Sequence, residues 1–410
     1  MERFGMLLSN CSSCVAYMIE EITFICRGMK KRSPGSEGER EAAEYMAGIL
    51  KNECGCTSVE IESFDEHPDS FYGYFYCSMV FDVLCAIGHF IHPWLSIVSG
   101  IVSLFLFVFH FLLYKQVLDP LFPLKRGTNV TAIRPCAGKI ERRIFLNGHT
   151  DAAWEFPLNY HFGGIVFEMP GVMALLGVIF YIALSICVVC GAGPWIRKAA
   201  FAGIVFIPFC FAVGLTFDPR RIVDGANDNL TGCLMGIALL REMERLGIDP
   251  EHTEIGVILT GSEEAGIRGA IAWSKAHCDD YKDVPTYILC FDTIHDPRFL
   301  MVNERDLNGT VASDRGMCHA FLDAAEKAGV SCREGWVPPF GGSTDSAAFT
   351  QGGFRSVCVT GLNHKLEDYY HTRRDSYDNL DIEGLENCYK AMVWFLESVD
   401  SGSLDNDSRK

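Results

Sequence analysis

The sequence predicts an α/β fold: a mixed, mostly parallel sheet with helices on both faces, plus four transmembrane helices in two inserted hairpins. Two observations lead to this class. Short apolar runs typical of strands alternate with longer periodic segments typical of helices, a pattern that favours a largely parallel sheet covered by helices. Two nearly unbroken apolar stretches interrupt this alternation, and each is long enough for a pair of membrane-spanning helices.

The composition is more apolar than that of a purely soluble enzyme. Of the 410 residues, 49% are hydrophobic and 21% are charged, and the mean hydropathy is +0.14. The net charge of −17 and the lack of a basic patch do not favour a nucleic-acid partner. Most of the 18 cysteines lie in apolar runs without the spacing of a disulfide scaffold. They indicate free thiols in a reducing compartment, and the lone Cys11-x-x-Cys14 pair is a weak signal for zinc or redox chemistry.

The segments outside the apolar stretches follow strand and helix patterns in turn. Residues 1–29 mix apolar and polar side chains, which predicts an amphipathic helix packed on the domain. Ser36 opens a helix that runs to about Lys51. The other predicted elements are strands at 58–64, 128–133, 142–146, 254–260, 286–291 and 356–360, and helices at 230–246, 269–277, 317–328 and 382–399.

The apolar stretches divide the chain into one domain and two insertions. Each contains two runs of the length that a bilayer requires, about 20 residues, and basic residues flank the runs, which favours membrane hairpins over buried core helices. The predicted parts are one catalytic domain at 1–70, 121–168 and 218–400, a first hairpin at 71–120, a second hairpin at 169–217, and a disordered tail at 401–410.

The order of strands and insertions predicts where the hairpins leave the sheet. If the first three strands form an antiparallel meander, both hairpins emerge at the edge that carries His149, so a site there faces the membrane. Basic residues lie mainly on the domain side of the hairpins, which predicts a multi-pass protein with its catalytic domain in the cytoplasm. These are Lys115, Lys125, Arg126, Arg220 and Arg221, against Arg197 and Lys198 on the far side.

Five residues form a candidate metal site: His149, Asp228, Glu264, Asp292 and His371. Four of them follow an apolar strand or open a helix after a loop, and ligands bind at the carboxyl ends of strands in open α/β sheets. Two histidines and three carboxylates suit zinc, with a bridging carboxylate holding two ions. Taken singly, each residue also has an ordinary structural interpretation, such as a helix cap or a turn.

Two carboxylates beside these residues complete the candidate site. Glu263 precedes Glu264 at a strand end, and one member of such a pair can bind a metal while its neighbour remains free as a base. Asp151 stands two residues after His149, where it could accept the second imidazole N–H and fix the tautomer.

These motifs resemble the family-28 zinc metallopeptidases, the co-catalytic aminopeptidase group of clan MH. The resemblance covers the whole part of the chain outside the hairpins, and the motifs occur in the family's order. The two apolar insertions are not part of the usual pattern. The matching segments are Arg32-Ser-Pro-Gly-Ser-Glu-Gly-Glu39, Gly148-His149-Thr-Asp151, Gly225-Ala-Asn-Asp228-Asn, Glu263-Glu264-Ala-Gly266, Phe291-Asp292, Ser343-Thr-Asp345-Ser-Ala-Ala-Phe349 and Tyr370-His371-Thr.

The resemblance implies a fold, an activity and a role for each site residue. It implies a zinc-exopeptidase-like fold and an enzyme that hydrolyses amide bonds with two Zn²⁺ ions. His149 and Asp292 would hold one ion, Glu264 and His371 the other, and Asp228 would bridge them. Asp151 would orient His149, and Glu263 would be the general base.

Departures from the family pattern leave the substrate open. Ser346 follows Asp345 where the family often has histidine, and Arg373 follows Thr372 where it often has proline. Arg373 could bind a substrate carboxylate, or it could simply be an exposed arginine. The candidate substrate-binding residues are Trp154, Glu155, Phe156, Asp345 and Arg373.

Three functions follow from these observations. The first is a membrane-embedded aminopeptidase for hydrophobic or membrane-associated peptides, with the lipid bilayer as a further partner. The second is an amidase or carboxypeptidase-type hydrolase of N-acyl or lipidated amino acids. The third is a non-catalytic receptor or scaffold, which should have lost ligands or Glu263, and this sequence retains them.

Overall fold

A mixed sheet of nine strands organises the computed structural model, which describes residues 2–193, 195–363 and 367–405. The strand order is β1-β2-β6-β3-β7-β11-β8-β10, with β9 paired to β8, and β4 and β5 form a separate pair. The strands are β1 (Ser58–Glu66), β2 (Lys125–Arg134), β3 (Arg142–His149), β4 (Trp154–Glu155), β5 (Asp218–Ile222), β6 (Thr253–Thr260), β7 (Thr286–Ile294), β8 (Met301–Asp306), β9 (Val311–Ala312), β10 (Arg333–Trp336) and β11 (Arg355–Gly361).

Helices cover both faces of this sheet. The helices of the described residues, including those of the insertions, are α1 (Glu2–Ser9), α2 (Cys11–Gly28), α3 (Glu37–Glu53), α4 (Asp69–Ile91), α5 (Pro93–Leu106), α6 (Pro157–Phe162), α7 (Gly164–Val189), α8 (Trp195–Ala202), α9 (Ile207–Ala212), α10 (Thr231–Leu246), α11 (Arg268–His277), α12 (Arg315–Lys327), α13 (Asp345–Gln351) and α14 (Ile382–Asp400). Short π-helical turns lie at Phe107–Leu112 and Ala226–Leu230, and 3₁₀ turns at Asp119–Leu121, Gly203–Phe206, Val213–Leu215 and Pro297–Phe299.

Alternate side chains of the central strands enter two separate cores. In β3, Ile144 and Leu146 pack with α2, α3, α10, α12 and α14 on one face. Phe145 points to the other face, where it packs with residues of α11 and α13 such as Trp273 and Phe349. This alternation is what a strand buried on both faces requires. The predicted α/β class, a mixed sheet with helices on both faces, is therefore confirmed.

The four central strands are parallel, and the flanking pairs are largely antiparallel. Strands β6, β3, β7 and β11 pair in parallel, whereas β1 with β2, β2 with β6, and β8 with β11 pair antiparallel. His149 is level with Thr260, and Asp292 with Thr360. The carboxyl ends of the parallel strands therefore meet at one edge of the sheet.

The predicted meander is wrong in one respect, because β6 lies between β2 and β3. Strand β2 is antiparallel to both β1 and β6, and β6 is parallel to β3. Strands β1 and β3 therefore still run in the same direction, as the meander required. The first insertion follows the carboxyl end of β1, and the second follows that of β3, so both leave from the edge that carries His149.

Two insertions carry the apolar helices. Hairpin 1 (residues 69–121) joins β1 to β2, and hairpin 2 (residues 164–217) lies between β4 and β5, whose antiparallel pairing forms its neck. Among the residues that the structure describes, four helical segments are long and apolar enough to cross a membrane: Asp69–Ile91, Pro93–Leu112, Gly164–Val189 and Lys198–Leu215.

Hairpin 2 begins earlier than the sequence predicts, and its return segment is not a continuous helix. Helix α7 begins at Gly164, five residues before the predicted boundary at 169, and it contains Pro170, as membrane helices tolerate. Its return segment is a series of α-helical and 3₁₀ turns. Pro208 has no backbone N–H, so it cannot donate a helical hydrogen bond in this segment. A Cβ on Gly203 would lie 2.5 Å from the Phe180 ring, so this glycine permits a close approach to α7.

The chain termini pack on the domain. The N-terminal segment, predicted to be amphipathic, forms α1 and α2, and α2 buries a stripe that includes Val15, Met18 and Ile22. The predicted disordered tail lies partly outside the described residues, which end at 405. Residues 401–405 form turns, because Leu404 is buried and Asp405 accepts hydrogen bonds from Arg142.

Candidate metal centre

The five candidate ligands converge at the carboxyl edge of the sheet. His149 ends β3, Glu264 follows β6, and Asp292 lies near the end of β7. Asp228 comes from the π-helical turn before α10, and His371 from the loop before α14. All but Asp292 are buried. The parallel register of the central strands therefore assembles residues that are far apart in sequence.

Asp228 lies between the two histidines. Its Oδ1 is 3.2 Å from His149 Nε2, and its Oδ2 is 3.0 Å from His371 Nε2. Glu264 Oε2 lies 3.2 Å from the same His371 nitrogen. Ligand atoms of His149, Asp228 and Asp292 lie within 4.8 Å of one another, as do those of Asp228, Glu264 and His371. The residues thus form two ligand groups that share Asp228, which suits two cations.

The carboxyl groups clustered at this site favour the binding of cations. Burial, together with the Asp228 carboxylate, raises the pKa of Asp292 to about 8. Glu264 Oε1 is buried without a hydrogen-bond partner among the described residues. Burial alone would raise the pKa of Asp228, but the two neighbouring imidazoles lower it below its ordinary value. Imidazole nitrogens and carboxylate oxygens at this spacing are donors that Zn²⁺ accepts, so the residues fit two zinc ions.

Asp151 joins the two segments that carry His149 and the glutamate pair. Its Oδ1 lies 3.2 Å from His149 Nδ1 and accepts a hydrogen bond from the Glu263 amide at 3.0 Å. Its Oδ2 accepts one from the Glu264 amide, also at 3.0 Å. The carboxylate therefore orients the imidazole, the role that the resemblance implied, and in addition fixes the glutamate loop.

Glu263 lies beside the ligands without belonging to the shared group around Asp228. Its Oε2 is 3.8 Å from His149 Nε2, and the residue is 8% exposed. Burial raises its pKa well above the ordinary value, and the carboxylates of Asp292 and Glu264 add to this effect. A buried carboxylate with a raised pKa is suited to accept and return a proton near neutral pH.

The segment Arg32–Glu39 braces two loops of the site. Arg32 donates hydrogen bonds to the carbonyls of Thr150 and Gly225, at 2.8 and 3.0 Å. Glu39 accepts one from the Ser262 amide at 2.6 Å, next to Glu263. The residues that carried part of the family resemblance thus support the loops that bear the ligands.

Sequence reasoning missed a carboxylate behind Asp228. Asp375 accepts hydrogen bonds from the amides of Asn227 and Asp228, at 2.7 and 3.1 Å. Tyr370 stacks on His371, with ring centroids 4.1 Å apart. The position of Asp375 four residues after His371 is the only sequence signal for it, and that spacing has no meaning until the loop is folded.

The candidate substrate-binding residues have different surroundings. Arg373 forms a two-point ion pair with the buried Glu155, at 2.6 and 2.7 Å, and stacks over Tyr160. Trp154 is buried against Tyr72 of α4. Asp345 accepts a hydrogen bond from Thr260 and is 3% exposed, so it lies beneath the ligands.

Phe156 lies directly against the metal ligands. Its ring is 4.5 Å from that of His371, 4.3 Å from Phe167 and 4.8 Å from Phe217, measured between centroids. The last two rings belong to hairpin 2. Hairpin 1 approaches from another side through Phe71, which lies 6.3 Å from Phe217. A series of aromatic contacts therefore links both hairpins to His371 at the candidate centre.

Comparison with known proteins identifies the family of the C-terminal part. Residues 213–396 match the model of peptidase family M28. The match covers 184 of the 410 residues. It contains Asp228, Glu263, Glu264, Asp292 and His371, whereas His149 and Asp151 lie upstream. The family recognised from the motifs is thereby confirmed, and with it the coarser activity, a metallopeptidase-type hydrolase.

Solved structures share the fold at low sequence identity. An aminopeptidase from Aneurinibacillus sp. strain AM-1 has a TM-score of 0.55 and 12% identity over 94% of this chain and 93% of its own. The zinc aminopeptidase BSAP from Bacillus subtilis has the same TM-score and identity, over 94% and 95%. A glutaminyl cyclase from Fimbriiglobus ruber has 0.54 and 11%, over 93% and 94%. No curated protein matches the sequence.

Proposed function

We propose that this M28 protein is a membrane-embedded di-zinc exopeptidase, an aminopeptidase that acts on hydrophobic or membrane-associated peptides. One observation carries the proposal. Two ligand groups share Asp228 beside the free carboxylate of Glu263, and the hairpin residues Phe167 and Phe217 pack against Phe156, which contacts the ligand His371. This arrangement combines the groups that amide hydrolysis needs with an apolar wall.

The residues divide the chemistry among them. When bound, zinc ions supply a Lewis acid for the carbonyl oxygen and make water acidic enough to attack near neutral pH. His149 and Asp292 would hold one ion, Glu264 and His371 the other, with Asp228 shared. Glu263 accepts the proton of the attacking water and returns it to the amide nitrogen that leaves as an amine.

The net charge of the centre favours an amine substrate. Six carboxyl groups lie in or beside the centre, the three of the candidate ligands and those of Asp151, Glu263 and Asp345, and when all six are ionised they outnumber the four positive charges of two bound Zn²⁺ ions. The excess negative charge attracts a substrate's protonated α-amine. Two solved structures of the same fold are named as aminopeptidases, one of them a zinc enzyme, which supports the same choice.

The surroundings favour an apolar residue at the amino end of the substrate. The ring of Phe156 lies against His371, and Phe217 continues the wall to Phe75 of α4, with ring centroids 4.6 Å apart. Both hairpins leave from the edge that carries the centre. A peptide held in the bilayer surface could therefore reach the site with its apolar side chains already beside these rings.

The charge distribution supports a cytoplasmic catalytic domain. Lys125 and Arg126 lie in β2, and Arg220 and Arg221 in β5, on the domain side of the apolar helices. Their excess over the basic residues between α7 and α9 follows the positive-inside rule. Eighteen cysteines without a disulfide agree with a reducing compartment.

The alternative functions lack a comparable observation. A hydrolase of N-acyl amino acids needs a cation for the free carboxylate, and the guanidinium of Arg373 is already held by Glu155. A non-catalytic scaffold has no need to keep both ligand groups and Glu263 together. Both alternatives, and cyclisation of N-terminal glutamine, are outcomes that the same assay can report.

The test is hydrolysis by the full chain in lipid nanodiscs loaded with zinc. We expect release of leucine or phenylalanine from the amino end of a peptide, no release from its N-acetylated form, and loss of activity after chelation with recovery on adding zinc. Glu263→Gln should lower kcat by about 10² to 10⁴-fold with zinc content unchanged. The exposed Glu20→Gln is the matched control.

Other results would assign another function. Hydrolysis of an N-acyl amino acid but not of the free peptide would favour the amidase. Formation of pyroglutamate from N-terminal glutamine would favour a cyclase. No turnover of any of these substrates by the zinc-loaded protein would favour the scaffold, and full activity of Glu263→Gln would refute the assignment of the base.

A further inference from the structure

A buried arginine just beyond the glutamate pair contacts both ends of hairpin 1. Arg268 opens α11 and is 4% exposed. Its Nη1 donates a hydrogen bond to Asp119 Oδ2 at 2.6 Å, and its Nη2 donates to Asp119 Oδ1 at 2.9 Å. Nη2 also donates to Ser70 Oγ at 2.9 Å. Ser70 lies in the first turn of α4, and Asp119 follows α5, so one guanidinium holds the entry and the exit of the hairpin.

The hairpin ends also contact each other at this point. The Ser70 hydroxyl donates a hydrogen bond to Asp119 Oδ1 at 2.6 Å. His110 Nε2 lies 3.1 Å from the Ser70 carbonyl oxygen, and His110 Nδ1 accepts from the Leu118 amide at 3.4 Å. Ser70 is fully buried. Arg268, Asp119 and Ser70 therefore form a closed network, named here the Arg268 network.

The same guanidinium holds the glutamate loop. Arg268 Nε donates a hydrogen bond to the Ala265 carbonyl at 2.8 Å, directly after Glu264. The amides of Gly266 and Ile267 donate to the Glu263 carbonyl, at 2.8 and 2.7 Å. The turn that carries Glu263 and Glu264 is thus closed on itself and tied through Arg268 to hairpin 1.

Two rings of hairpin 1 pack over this turn. A Cβ atom on Gly266 would lie 3.5 Å from both the Phe71 ring and the Tyr114 ring. These rings contact each other edge to face, with centroids 5.5 Å apart. Gly266 has φ +97, a conformation open to glycine. The turn is therefore held by the hydrogen bond from Arg268 to Ala265 and covered by hairpin side chains at Gly266.

We propose that hairpin 1 is a positioning element of the active site, which sets the Glu263–Gly266 turn through the Arg268 network. Arg268, Asp119 and Ser70 are positioning residues, since they reach the reacting groups only through this turn. The proposal assigns hairpin 1 a role beyond membrane anchoring. Its consequence for catalysis rests on the proposed peptidase function, whereas its consequence for the turn does not.

The test compares Asp119→Asn with Asp405→Asn in the full chain in nanodiscs. Asp405 is a matched control, because it also contacts a buried arginine at two points, Arg142 at the opposite end of β3. We expect Asp119→Asn to lower kcat by about tenfold to about a hundredfold, with KM and zinc content unchanged. Asp405→Asn should keep the wild-type kcat, and Asp119→Glu should recover part of the loss.

Hydrogen exchange measures the turn without relying on activity. Asp119→Asn should speed amide exchange in residues 262–268 relative to wild type, and Asp405→Asn should not. Unchanged exchange would overturn the proposal, as would an unchanged kcat in an active enzyme whose melting temperature falls equally in both variants. Faster exchange in a protein that cleaves no peptide would sustain the positioning role while the peptidase function fails.

Discussion

Hairpin 1 approaches the metal centre through a buried guanidinium, whereas hairpin 2 approaches it through aromatic rings. On the first side, Arg268 joins Asp119 and Ser70 to the turn that carries Glu263. On the second side, Phe217 packs on Phe156 beside His371. Charged hydrogen bonds fix geometry because they are directional, and apolar contacts are tolerant of shape. Under the proposed function, one hairpin would restrain the turn that carries Glu263 and the other would shape the substrate pocket.

A large effect is expected from breaking the contacts of Asp151, which join His149 to the turn that carries Glu263 and Glu264. Asp151 accepts hydrogen bonds from Glu263 and Glu264 and lies against His149. Asp151→Asn presents an amide group that can satisfy fewer of these donors, so turnover or zinc affinity should fall by about 10 to 100-fold. Zinc titration and kcat measure the two effects. Asp249→Asn, in the ion pair with Arg134 at the opposite end of the sheet, is the control, and equal behaviour of both variants would contradict the role of Asp151.

The aromatic side should control selectivity. Phe217→Ala removes a ring that contacts Phe156 and Phe75. We expect kcat/KM for amino-terminal phenylalanine to fall by about tenfold relative to that for alanine, with kcat for alanine retained. Phe211→Ala, which removes an exposed ring of the same hairpin, should leave the ratio unchanged. A loss equal for both substrates would place Phe217 outside the pocket wall.

A substitution at the neck of hairpin 2, the β4–β5 pair, should change the stability of the protein. Arg373→Leu leaves the buried Glu155 carboxylate with Arg221, at 3.5 Å, as its remaining ion-pair partner. The cost is about 1 to 3 kcal/mol in the free energy of unfolding, seen as a lower melting temperature. The neighbouring Arg374→Leu should cost less. If Arg373→Leu instead raised KM for peptides with a free carboxyl terminus and kept the melting temperature, Arg373 would bind substrate.

Glu66, at the end of β1 before hairpin 1 begins, should show the smallest effect, a change in the pH dependence of stability. Burial raises the pKa of Glu66 to about 7 from its ordinary 4.5, against the hydrogen bond from Ser262. Between pH 4.5 and about 7, the folded state keeps a proton on Glu66 that the unfolded state releases. The contribution of Glu66 to the free energy of unfolding therefore falls as the pH rises through this window. Glu66→Gln should flatten the melting temperature over the same window. The exposed Glu60→Gln should keep the wild-type slope.

Local sequence patterns predicted the elements whose pattern is strong. The apolar runs of β3, β6 and β7 and the periodic helices α10 and α14 lie within a few residues of their predicted bounds. Strands β8 and β10 and helix α13 were missed. Their sequences are short and mostly polar or glycine-flanked, so neighbouring strands rather than local propensity decide their structure.

The candidate metal ligands could be predicted because each stands beside a recognisable strand or motif, and the structure brings all five together. The residues that hold these ligands in place were harder to predict from the sequence. Asp375 acquires meaning only when its loop folds under Asp228. Arg268 and Asp119 are 149 positions apart, and no local pattern links an arginine in one segment to an aspartate at the end of an apolar insertion. The position of β6 between β2 and β3 likewise depends on pairing between strands that are far apart in the sequence.

Cys190 follows the C-terminal end of α7, a helix of 26 residues that begins beside the domain, and a helix of this length spans about 39 Å. Among the cysteines of the described chain it is the exposed one. The molecule therefore carries its own reporter of sidedness. With the domain in the cytoplasm, a membrane-impermeant maleimide should label intact cells at Cys190, Cys190→Ser should abolish that labelling, and thiols such as Cys136 should react only after permeabilisation.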